Sequence, residues 1–154
     1  MDENFRKGQQ GVKKEDLSVG ALLLEAVTIV LGIGYIGLQI FYGVRFHIEP
    51  YRFIWNILAL VLVYAALLLL EIFPEKVNRL TPQMFTPRVR KYTLRMLRWI
   101  KFVFVTGLFI PSVSDAFGMS LMDAASLIVV ALIVALAVYY EYRIYRVLRE
   151  EKGE

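Results

Sequence analysis

Eight polar or charged side chains interrupt long apolar runs in this sequence, and they are the residues able to do chemistry in a low-dielectric medium. Glu25 and Gln39 fall in one run, Asn56 and Glu71 in a second, Lys101 and Asp115 in a third, and Asp123 and Glu141 in a fourth. A charged side chain at the centre of a bilayer costs roughly 2.5–3.5 kcal/mol on insertion scales, so such residues mark pairing, packing or transport. Glu25 and Lys101 each sit about one turn inside their runs. An ammonium and a carboxylate at one depth relieve each other's desolvation, and this spacing makes the two a candidate pair. The competing reading has each side chain snorkel separately to the nearer headgroups. A carboxylate in that position could also relay a proton or a cation.

Glu71 and Glu141 fall in the same layer as Glu25 and Lys101. Gln39 and Asn56 belong to a second layer near the opposite ends of their runs, at similar depth, where their amides could bond to each other. Pro111, Ser112, Ser114 and Asp115 lie near that level. Pro111 leaves one helix carbonyl without its usual donor, which the serines or water could satisfy.

Other chemistries find little support. The chain has one histidine, His47, and no cysteine, so neither a His-rich metal site nor a Cys–His nucleophile can form within it. Asp115 and Asp123 could bind a cation weakly beside His47. However, Ser120-x-x-Asp123 matches a capping box, which makes Asp123 a helix cap before it is a ligand. Gly32, Gly34 and Gly37 match G-x-G-x-x-G, but a dinucleotide site needs a strand before that motif and a soluble helix after it. These glycines lie inside an apolar run and read as helix-packing positions. No cofactor is implied, and the chain reads as a non-enzyme.

The elements that must position these residues follow from hydropathy. Apolar residues make up 58% of the chain, above the roughly 45–50% usual in soluble domains. They are gathered into spans of about 20–43, 53–73, 97–117 and 121–142. About twenty residues at 1.5 Å each cross a hydrocarbon layer roughly 30 Å thick. The first run follows a charged 17-residue tail and exceeds the length of a signal-peptide core, so it is read as a span. The third run is the least apolar, with Arg98 and Lys101 at one end and Asp115 at the other.

Charge decides between three and four spans. With four, sixteen of the eighteen Lys and Arg fall on one side and two, Arg45 and Arg52, on the other. That asymmetry places both termini in the cytoplasm. The expected architecture is all-α: a polytopic membrane protein of two antiparallel helical hairpins. Residues 1–17 read as a mobile cytoplasmic tail, and 18–154 as a single four-helix membrane domain.

The 74–96 segment is expected to form a basic amphipathic connector on the cytoplasmic side. Thr86 and Pro87 read as N-cap and first residue of a helix that flows into the third span. On it Arg88, Lys91, Arg95 and Arg98 make a basic stripe beside Val89, Tyr92, Met96 and Ile100, a pattern suited to anionic headgroups. In the fourth span Ala124, Ala131 and Ala135 share a face where another helix could approach closely. The tyrosines from Tyr139 to Tyr145 read as an interfacial belt.

Together these features describe a small cell-membrane protein that acts by helix packing with a second copy or a membrane-protein partner, and through its basic surface. The partners expected are anionic inner-leaflet lipids and membrane protein, not nucleic acid. A subunit of an oligomeric channel or transporter is the alternative. Reporter tags fused at Met1 and at Glu154 should signal from the same face of the membrane. Signals from opposite faces would remove the four-span reading.

Overall fold

The computed structural model describes residues 18–77, 84–117 and 122–153, the side chains at 75, 116, 122 and 123 excepted. They form four long helices: α1 Val19–Arg45, α2 Pro50–Ile72, α3 Pro87–Ala116 and α4 Met122–Glu151. A short 3₁₀ turn, Pro74–Lys76, follows α2. All four helices are long and apolar enough to cross a membrane, which is the build of a multi-pass membrane protein.

Local chemistry sets the helix starts. Ser18 Oγ accepts from the Ala21 N–H at 3.3 Å and caps α1. Pro50 opens α2, where its missing N–H is no loss. Thr86 caps α3 through the Val89 N–H, with Pro87 as the first helical residue. Between α1 and α2 the chain reverses at residues 46–49, with His47 in the left-handed region at φ 48°.

The helices overrun two of the apolar runs. α3 begins ten residues before the expected span at 97, and α4 continues nine residues beyond 142. The physical reason is that apolar character ends where lipid ends, whereas a helix continues until a cap or breaker stops it. No separate connector helix is found among the described residues. Residues 87–96 are the first turns of α3 itself, and 78–83 lie outside the described residues, as do the 1–17 tail and Ser120. At 30 residues, α3 is roughly 45 Å long, more than a hydrocarbon layer requires.

α3 is the hub. A third of the residues in its most apolar window are buried, against 11% in α1, 6% in α2 and none in α4. It packs on α1 along one side and on α4 along the other, and α2 leans on α1 and α3. Among the described residues α4 packs on α3 alone. Residue pairings give the directions. Gly43 meets Phe53 and Asn56 meets Gln39, so α1 and α2 run in opposite senses. Gln39 meets Ser112 and Glu25 meets Lys101, so α1 and α3 run in the same sense. Arg88 meets Glu150, so α3 and α4 are opposed.

Two apolar clusters hold these contacts. Tyr35, Leu60 and Val105 join α1, α2 and α3. Val89, Ile144 and Val147 join the start of α3 to the end of α4, with Tyr92 packed against them. Val89 and Tyr92 of the expected connector's apolar face are therefore packed against α4.

Small residues allow the closest approaches. A Cβ on Gly34 would come within 2.9 Å of the Phe109 ring, and one on Gly43 within 2.6 Å of Phe53. A Cβ on Gly107 would collide with Val129 of α4, whose branched side chain is stiff. Gly107→Leu should therefore push α3 and α4 apart and lower stability in detergent by about 1–3 kcal/mol. Combining it with Val129→Ala should recover most of that loss, measured as the thermal unfolding midpoint.

Candidate functional site

Three helices converge on one ammonium group. Glu25 lies two turns into α1, and Tyr64 and Glu71 lie two turns apart on one face of α2. α3 places Lys101 between them. Its Nζ is 2.7 Å from Glu25 Oε2 and 2.8 Å from Glu25 Oε1. Glu71 Oε1 is also 2.8 Å from Nζ, as an ion pair without an aligned hydrogen bond. The Tyr64 hydroxyl donates to Glu25 Oε1 at 2.7 Å, and its ring lies 5.0 Å from the ammonium. Lys101 has no solvent exposure, while Glu25 keeps about a quarter of its side-chain surface.

One buried cation faces two carboxylates. Such an arrangement can do two things. It can lock three helices together, because removing any member strands a charge in a dry interior. It also offers exchangeable protons on adjacent groups, the raw material of a relay.

A second polar layer lies further along α1. Asn56 Nδ2 donates to Gln39 Oε1 at 3.0 Å, and Gln39 Nε2 donates to Ser112 Oγ at 3.5 Å. The Tyr42 hydroxyl donates to the Ser112 carbonyl at 2.7 Å. The serines after Pro111 donate to the carbonyls of Leu108 and Ile110. They do not serve the carbonyl of Gly107, four residues before Pro111, whose helical donor the proline removes.

The remaining predicted residues lie elsewhere. Asp115 is exposed near the end of α3, and the Asp123 side chain lies outside the described residues. Arg88 makes a 3.7 Å surface ion pair with Glu150, which also meets Arg146 at 3.3 Å. Lys91 and Arg95 are exposed, and Arg98 is half-buried. Gly32 faces Val105 at van der Waals distance, whereas Gly37 opens onto empty space. Ala124, Ala131 and Ala135 are exposed on α4. Among the described residues, no three His, Asp or Glu side chains gather as a metal site.

Tyr64 was not singled out in the sequence, although its seven-residue spacing from Glu71 puts both on one helix face. Gly107 and Tyr42 were missed for lack of any local signal; their importance comes from what lies opposite. No protein family model, no curated protein and no solved structure matches this chain.

Lys101→Met should cost about 3 kcal/mol of stability in detergent, the lower part of the range for breaking a buried pair because Glu25 is partly exposed. Adding Glu25→Gln and Glu71→Gln should restore most of it, since no buried unpaired charge of the cluster then remains. Equal instability of the single and triple variants would show that the cluster does not hold the helices.

Proposed function

We propose that this chain is a non-enzymatic component of the cell membrane that works by packing against a second copy of itself or a membrane-protein partner, and through a basic cytoplasmic surface. In this reading it forms two antiparallel hairpins with both termini in the cytoplasm. The basic first turns of α3 face the anionic inner leaflet. The supporting observation is the position of α4. Among the described residues it leans on α3 alone, and much of the rest of its circumference, Ala131 and Ala135 included, is exposed. Helices associate in lipid through close backbone approach at small residues, and the exposed Ala131 and Ala135, one turn apart on α4, offer such a point.

One observation favours a second reading, a subunit of an oligomeric channel or proton-coupled transporter: the Tyr64 hydroxyl, Glu25, Lys101 and Glu71 form a continuous string of exchangeable groups. Native mass spectrometry from detergent and proton flux in liposomes separate the two. The packing reading expects an oligomer, or a stoichiometric complex with another membrane protein, that Ala131→Leu with Ala135→Leu dissociates, and liposomes without proton flux. A flux that Glu25→Gln abolishes would replace it with the transport reading.

A further inference from the structure

A groove of about 680 Å³ runs between the first turns of α1 and the facing side of α3. Its two ends differ in chemistry. Lys91, Arg95 and Arg98 recur at steps of four and three on one face of α3, and all three line the groove. Among the described residues, no acidic side chain lines it. Toward the middle of the helices the walls become apolar, with Val27 from α1 and Trp99 and Phe102 from α3.

The depth of each group follows from the helix register. α1 and α3 run in the same sense with Glu25 level with Lys101, so Arg98 falls level with Leu22 and Arg95 with Val19, the first residue of α1. The cations thus cluster where α1 starts, at the depth of headgroups if the helices span a bilayer. The apolar walls continue from there toward the hydrocarbon. Leu23, exposed on the α1 side, leaves the groove open sideways to lipid. The first turn of α1 adds backbone N–H groups and the positive end of the helix dipole at the same level.

We propose that this groove binds one anionic phospholipid. Its phosphate sits among Lys91, Arg95, Arg98 and the first turn of α1, and one acyl chain lies along Val27, Trp99 and Phe102. Three cations without an acid among the lining residues are complementary to a phosphate. A cavity that is basic at one end and apolar at the other fits an amphiphile better than a free anion or an acidic peptide. Arg98 brings a guanidinium with five donors, so a phosphate can engage part of it while the rest keeps other partners. The inference rests on the membrane reading above and narrows its general basic surface to a single site.

The test uses Trp99 as its own probe, since Trp55 on α2 is the only other tryptophan. The full chain carrying Trp55→Phe is placed in nanodiscs of phosphatidylcholine with phosphatidylglycerol, one or the other brominated on its acyl chains. Brominated phosphatidylglycerol should quench Trp99 saturably, with a preference over phosphatidylcholine of about fivefold or more. Lys91→Gln with Arg95→Gln, both exposed and outside the Lys101 cluster, should reduce that preference to about one. Arg146→Gln with Arg149→Gln on α4 should leave it unchanged. Equal quenching by the two lipids overturns the proposal, as does loss of the preference in the α4 variant. Displacement of the phosphatidylglycerol effect by inorganic phosphate would overturn the lipid assignment. Trp55, followed in a Trp99→Phe chain, separates the two readings: quenching there without any lipid preference at Trp99 sinks the groove alone, whereas quenching of neither tryptophan sinks the membrane reading.

Discussion

The arrangement of α1, α2 and α3 depends on one ammonium group. Lys101 has no exposure, in helices whose other surfaces are overwhelmingly apolar. An unpaired ion there would cost several kcal/mol, so the fold must deliver carboxylates to it. One comes from α1 and one from α2, and the contact distances of 2.7–2.8 Å leave little freedom in how the three helices sit. Tyr64 tightens the arrangement by donating to the oxygen of Glu25 that also accepts a hydrogen bond from the ammonium. A second layer, Asn56 to Gln39 to Ser112, repeats the same logic with neutral amides at a different depth. Two polar layers on the same three helices determine both rotation and register, which apolar side chains alone specify weakly.

The fourth helix is held differently. α4 meets α3 through Gly107 against Val129 and, at the far end, through Val89, Ile144 and Val147. The polar contacts between them include Arg88 with Glu150 and the α3 cap Thr86 with Glu151, on exposed surface where such pairs contribute at most about 1 kcal/mol, and the Arg143 guanidinium 5.9 Å from the Tyr92 ring. Three helices are thus clamped by buried polar groups, and one is attached by shape. A helix attached along one edge, with the exposed surface of its 124–140 stretch mostly apolar, is under the proposed function the element that meets another chain. The polar clusters, paired with one another, are better suited to holding the protein in one conformation.

The two ends of the molecule also differ. Cations of α3 gather beside the start of α1 and the end of α4, while the opposite end carries the amide and serine layer. The same helix therefore contributes the central ion of the clamp and, one to three turns earlier, the basic wall of a groove. Arg98 lines the groove one turn before Lys101.

Much of this was readable before any coordinates. Four apolar runs of bilayer length identify four helices, and Thr86-Pro87 marks where α3 starts, because capping and hydropathy act over a few residues of local sequence. The depth of Glu25 and Lys101 could be counted along each helix, and so could that of Gln39 and Asn56. Rotation could not be counted. Which face of α2 turns inward decides that Glu71 joins the cluster as a second carboxylate and that Tyr64 completes it. What covers the apolar side of the basic segment was equally hidden, since an amphipathic pattern reads the same whether that side meets lipid or another helix. Composition and spacing determined what the chain is made of and how deep each group lies. Tertiary structure alone decided which groups touch, because helix rotation and partner choice depend on surfaces far apart in sequence.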